Sequence, residues 1–112
     1  MTVNRKIFKA YDIRGIYPTE INEVGVVMIA SKLANHFKGR IIIGRDTRLS
    51  SPALYQQLKK GLSANKDLEI LEAGLITTPM MYFLVNQLKL AGGVMITASH
   101  DPKEFNGLKI VG

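Results

Sequence analysis

Ser99 and His100 stand side by side in Thr97-Ala98-Ser99-His100-Asp101-Pro102, and Lys109 follows ten residues after the serine. A hydroxyl, an imidazole, a carboxylate and an amine in one short stretch can move protons or take up a transferred group. Adjacent Ser and His are not the arrangement of a triad assembled from separated loops. The stretch also reads as a plain turn, because Ser and Asp bond their own backbone and Pro sets the bend. Two more polar clusters could join it, Tyr11-Asp12-Ile13-Arg14-Gly15 and Arg45-Asp46-Thr47-Arg48. Together they would offer three arginines, whose planar forks match phosphate oxygens. Asp46, between two arginines, reads as an internal ion-pair partner rather than a catalyst. Other chemistries drop out. There is no cysteine, which removes disulfide scaffolds, zinc ribbons and thiol catalysis. Neither the lysine-bearing phosphate loop of nucleotide hydrolases nor a GxGxxG fingerprint occurs. Two histidines among scattered acids do not make a transition-metal site.

Such side chains act only if a rigid frame brings them together, and the hydrophobic pattern predicts one. Ile7 to Tyr11 reads as a short strand ended by Asp12 to Gly15. Pro18-Thr19 predicts a helix start with Glu20 and Glu23 in the first turn, where the helix dipole favours carboxylates. Val26, Ile29, Leu33 and Phe37 recur at helical spacing up to Gly39. Arg40 to Gly44 is a continuous apolar run of strand length, as expected for a strand covered on both faces. Ser51-Pro52 and Thr78-Pro79 each read as a helix cap followed by proline at the first helical position. Between them lies a strand from Leu68 to Glu72. Gly93 to Ala98 and Leu108 to Val111 complete the series, the last introduced by Asn106-Gly107 as a turn pair. The order β-α-β-α-β-α-β-β predicts an α/β, three-layer domain, with a mixed, mostly parallel sheet covered by helices on both faces. Only Ser99 to Asn106 separates the last two strands. That is too short for a parallel crossover, so they should run antiparallel. In such sheets ligands bind beyond the carboxyl ends of the strands, which is where the polar clusters fall.

At 112 residues the chain is one domain, and hydrophobic residues at 46% suffice for a core. The net charge is +6, and residues 1–48 hold nine Lys/Arg against four acids. Anionic partners are therefore conceivable. The basic residues are nevertheless interleaved with apolar ones, and with 7% aromatic residues and no Trp base-stacking platforms are scarce. No nucleic-acid partner is expected. The longest apolar run, Val24 to Ala30, is far below the ~20 residues that cross a bilayer. The expectation is a cytoplasmic protein with no membrane partner.

The motifs also carry a resemblance. Thr97-Ala98-Ser99-His100-Asp101-Pro102 with Phe105-Asn106-Gly107-Leu108-Lys109 resembles the active-site serine loop of the α-D-phosphohexomutases, the phosphomannomutase/phosphoglucomutase family. Phe8 to Gly15, Gly44 to Arg48 with Ser50-Ser51-Pro52, and Gly74 with Thr77-Thr78-Pro79 are similar to three more of its segments, in the same order. The resemblance covers nearly the whole chain and implies that residues 1–112 are domain I, the N-terminal piece of a four-domain enzyme. It implies phosphoryl transfer between C1 and C6 of hexose phosphates through a phosphorylated Ser99. Arg14 would contact the phosphoryl group. Lys109 would act at the reacting hydroxyl, His100 would orient the loop or the proton, and Tyr11 would line the site.

A Mg²⁺ ion would be held by a phosphoryl oxygen on Ser99 together with ligands from the missing second domain, and a hexose 1,6-bisphosphate would serve as activator. Where the family has Asn after the Ser-His pair, this chain has Asp101, whose carboxylate would repel a phosphoserine unless a cation compensates. Without domains II–IV the chain is expected to fold and to be inactive. Two other readings stay open from the residues themselves, a non-catalytic module binding phosphosugars or a protein, and nucleic-acid binding through the positive charge.

Overall fold

The computed structural model describes residues 8–9, 12–99 and 101–111; Tyr11 and His100 lie outside the described residues. Six strands make one sheet: β1 (Phe8–Lys9), β2 (Asp12–Ile16), β3 (Arg40–Arg45), β4 (Glu69–Leu75), β5 (Gly92–Ile96) and β6 (Phe105–Val111). Their order across it is β1-β2-β6-β5-β3-β4. Three helices connect them: α1 (Glu23–Leu33), α2 (Ser51–Leu62) and α3 (Thr78–Gln87).

The α/β, three-layer expectation is met, and β6 runs antiparallel to β5 as the short connection required. The balance of the sheet differs from the mostly parallel one predicted. Among the described strands, β3 pairs in parallel with β4 and β5, while β1–β2, β2–β6 and β6–β5 are antiparallel. The reason lies at the chain's start. Asp12 to Gly15, read as what ends the first strand, is most of β2, which pairs with β1 before any helix intervenes and with β6 from the far end of the chain.

Side-chain alternation along β3 and β5 divides the core in two. Ile41, Ile43, Val94 and Ile96 face α1 and α2, where they meet Val26, Ile29, Leu54, Leu58 and Leu62. Ile42 and Met95 face the other way, against Met81 and Val85 of α3. Fully buried side chains of this size contribute about 1.5–3 kcal/mol each to the hydrophobic term, so the helices are held by these stripes more than by propensity.

The helix boundaries shift from those predicted. α1 begins at Glu23, capped by Asn22, whose side chain accepts the Gly25 amide at 2.9 Å. Thr19 sits in a turn, and Glu20 closes that turn by accepting the Ile16 amide at 2.8 Å. The α3 cap is Thr77, one residue before the expected Thr78, and it accepts the Met80 amide at 3.2 Å. Ser51 is the first helical residue of α2, and its hydroxyl turns away to donate to Asp46. Asn106-Gly107 lies inside β6 rather than in a turn. Gly107 is required there by packing, since a Cβ would collide with the Ile13 carbonyl of β2.

Candidate functional site

The parallel neighbours β3 and β5 end together, as the Asp46 amide donating to the Ile96 carbonyl at 3.0 Å shows. That common end puts the loop after β3 (residues 46–50) beside the loop after β5 (residues 97–104). With residues of β2, β6 and the α3 N-terminus they line a wide cleft of about 1620 Å³. Ser99, Arg14 and Lys109, expected at one site, all line it.

Ser99 is exposed, and its backbone has φ +56°, the left-handed region. For a residue with a Cβ this costs about 1–2 kcal/mol, so the surrounding loop must hold it. The Ser99 amide donates to the hydroxyl of buried Thr97 at 3.0 Å, and the Asp101 amide donates to the Ala98 carbonyl at 3.1 Å. The turn thereby presents the serine at the end of β5.

The three arginines are used differently. Arg14 stands between two carboxylates, donating to Asp12 and to Asp101 at 3.3 Å each. The compensating cation for Asp101 is therefore Arg14, and their ion pair ties the serine loop to β2. Arg45 donates to the Asp46 carbonyl at 3.1 Å. Arg48 pairs with Asp46 at 3.2 Å, as expected for an internal ion pair, but also reaches across to four carbonyls of the serine loop. That second role went unread in the sequence; the adjacency of the β3 and β5 ends was its only signal. Lys109 lies on β6 opposite Asp12 of β2 in register, and has no hydrogen-bond or ion-pair partner among the described residues.

Tyr17, also unforeseen, lines the cleft. Its hydroxyl donates to Glu23 at 2.9 Å, and that bond to a carboxylate, with some burial, raises the phenol's pKa above its usual value. Beneath the loops, buried Asn106 donates to Ser50 and Ser51 at 2.8 and 3.0 Å, and Ser51 donates to Asp46. The cleft thus brings together an exposed serine hydroxyl, a guanidinium bridged by two carboxylates and the amine of Lys109.

A family model described as phosphoglucomutase/phosphomannomutase, alpha/beta/alpha domain I, matches residues 5–112. The chain belongs to this family. It is 48% identical over 105 residues to a Xanthomonas campestris protein named phosphohexose mutases, covering 93% of this chain and 23% of that protein. It is 40% identical over 114 residues to a Neisseria gonorrhoeae phosphoglucomutase, covering 98% of this chain and 25% of that protein. The crystal structure of a phosphoglucomutase/phosphomannomutase family protein from Burkholderia thailandensis superposes with a TM-score of 0.83 at 29% identity, covering 98% of this chain and 26% of that one. The chain thus spans about a quarter of the length of these relatives. Among the described residues no helix is long and apolar enough to cross a membrane.

Proposed function

We propose that the chain is domain I of a cytoplasmic phosphohexomutase and that Ser99 carries the phosphoryl group it transfers. The observation that carries the reading is the presentation of Ser99, exposed and in a left-handed backbone conformation, on the same cleft as Arg14 and Lys109. In the forward half-reaction the phosphoserine O–P bond breaks as an O–P bond forms to one hydroxyl of a hexose monophosphate. That hydroxyl's proton passes to Lys109 or to another base at the site, and the Ser99 oxygen released by the cleavage takes up a proton to become a hydroxyl again. The bisphosphorylated sugar then turns round. Its other phosphoryl group returns to the Ser99 oxygen, so phosphate has moved between C1 and C6, and hexose 1,6-bisphosphate charges an unphosphorylated enzyme by the same step. Arg14 stabilises charge on the transferring group, while His100 and Tyr11 orient the loop and line the site.

The described residues contain no cluster of three or more possible metal ligands. Asp46 is committed to Arg48 and Ser51, and Asp101 to Arg14. The chemistry of this donor set fits one Mg²⁺ ligand, a phosphoryl oxygen on Ser99, with the others supplied by a further domain. When bound, the ion would offset charge on the transferring group.

The test is direct. In the full-length enzyme, mass spectrometry should find phosphate on Ser99, and Ser99→Ala should lose almost all mutase activity with glucose and mannose phosphates. Near-normal turnover by Ser99→Ala would sink the reading. The 112-residue chain alone should melt cooperatively and show no turnover, because the sugar would be held from one side only.

A further inference from the structure

We propose that Arg48 is the positioning residue that holds Ser99 in its presented conformation; the inference rests on the reading of Ser99 as the phosphorylated group. A guanidinium has five N–H donors in a fixed plane and no acceptor. All five are spent here. Nε donates to Asp46 at 3.2 Å, one terminal nitrogen to the carbonyls of Pro102 at 2.7 Å and Phe105 at 3.0 Å, and the other to those of Ser99 at 3.0 Å and Asp101 at 2.8 Å. With its donors filled by the protein, this arginine is not a phosphate ligand. It is a clamp whose four carbonyl acceptors span the serine loop from Ser99 to Phe105.

Three observations make the clamp more than a surface contact. The Arg48 side chain is only 13% exposed. Its anchor is braced, because Asp46 accepts the Arg48 amide at 3.1 Å as well as the side chain, and also accepts from Ser51, which buried Asn106 holds in turn. One of its bonds goes to the carbonyl of Ser99 itself, the residue whose φ of +56° needs outside support. Lysine cannot substitute. A single ammonium has three donors radiating from one point and cannot meet carbonyls spread across a loop.

The test uses Arg48→Lys and Arg48→Gln. In the 112-residue chain, the amides of Ser99, Asp101 and Phe105 are each hydrogen-bonded within the loop and report its order. In both variants these amides should exchange with solvent about tenfold faster or more, the scale of losing a charge-assisted hydrogen bond. Amides of β3, β5 and α2 should keep their rates and the melt should stay cooperative. In the full-length enzyme, Arg48→Lys should lower kcat about 100-fold, the cost of misplacing a reacting group by about 1 Å, with KM for the hexose phosphate little changed.

Unchanged loop exchange in a folded variant would overturn the proposal. So would faster exchange throughout the domain, or failure of both variants to fold, because Arg48 would then be a general stabiliser. A loosened loop with wild-type kcat would overturn the positioning role while leaving the clamp. Ser99→Ala run alongside separates the two readings. If it keeps turnover, the phosphoserine reading has failed; if it is dead while Arg48→Lys is fully active, the Arg48 inference alone has failed.

Discussion

The two halves of the sheet solve different problems. Strands β5, β3 and β4 are parallel, and β3 and β5 are covered by α1 and α2 on one face and by α3 on the other. Their sequences, Arg40-Ile41-Ile42-Ile43-Gly44 and Gly92-Gly93-Val94-Met95-Ile96, have no polar residue in the interior. Strands β1, β2 and β6 are antiparallel, and the second face of β2 and of β6 as far as Lys109 borders the cleft, while Val111 at the end of β6 is buried on the α3 side. Ile13 and Leu108 point into the core, while Arg14 and Lys109 line the cleft. One half is built to be rigid, and the other to offer charge beside it. The serine loop joins them, leaving the end of the sealed half and returning as the first strand of the open one.

If the open half supplies the working charges, removing them should be the largest change short of removing Ser99. Arg14→Ala and Lys109→Ala in the full-length enzyme should each cost roughly 2–4 kcal/mol of transition-state stabilisation, lowering kcat more than they raise KM. Steady-state kinetics with a hexose 1-phosphate checks this. A variant that altered KM alone would make its residue a binding group.

Each half can be broken at a glycine of its own, with unequal results. A Cβ on Gly107 would collide with the Ile13 backbone of β2, which cannot move without unpairing the strand. A Cβ on Gly93 would lie 3.0 Å from Ile42 Cγ2 and from Met81 Sδ and 3.1 Å from the Ile42 carbonyl. Those neighbours need to yield by only a few tenths of an ångström. Gly107→Ala should therefore destabilise by about 3 kcal/mol and Gly93→Ala by clearly less, as read from urea midpoints at constant slope. Equal losses would mean that the open half is packed no more tightly at its backbone than the sealed half.

The difference between the halves also explains what the sequence revealed. Continuous apolar runs and Ser/Thr-Pro helix starts mark the sealed half plainly, and β3, β5, α2 and α3 fall within a residue or two of where the pattern put them, whereas α1 starts at Glu23 rather than at Thr19. The open half was legible only in part. β2 carries Asp12, Arg14 and Gly15 among two isoleucines, so it read as a loop, although the alternation of buried Ile13 with its partly exposed neighbours Asp12 and Arg14 is that of a half-buried strand. Asn106-Gly107 looked like a turn because that dipeptide favours turns; only the closeness of β2 shows why the glycine is there.

Ser99, Arg14 and Lys109 were found by residue type and motif, and the fold puts them on one cleft. The Arg48 contacts were not legible, because acceptors 51 to 57 residues away leave no local pattern. A backbone carbonyl has no residue type to read.

The smallest effect concerns the two tyrosines whose pKa values are raised for different reasons. Tyr55 of α2 is 5% exposed, and its hydroxyl accepts the Gly74 amide at 3.2 Å. Burial, which disfavours the phenolate, is the main cause of its raised value. Tyr17, on the cleft, is raised mainly by its bond to Glu23. In both cases the folded state keeps the proton at a pH where an unfolded tyrosine, with a pKa of about 10, has begun to lose it. The stability these groups contribute is thus complete below about pH 10 and is lost as pH rises through the folded-state values. Urea midpoints at pH 8 and in a series above pH 10 should fall at the alkaline end. Tyr55→Phe should flatten that fall while costing about 1 kcal/mol at pH 8, because it leaves the Gly74 amide without its acceptor. Tyr17→Phe should flatten it less, since water can solvate a phenolate at the cleft. If Tyr17→Phe abolished the alkaline loss and Tyr55→Phe left it unchanged, the contrast would reverse, and the sealed half would be the one open to water.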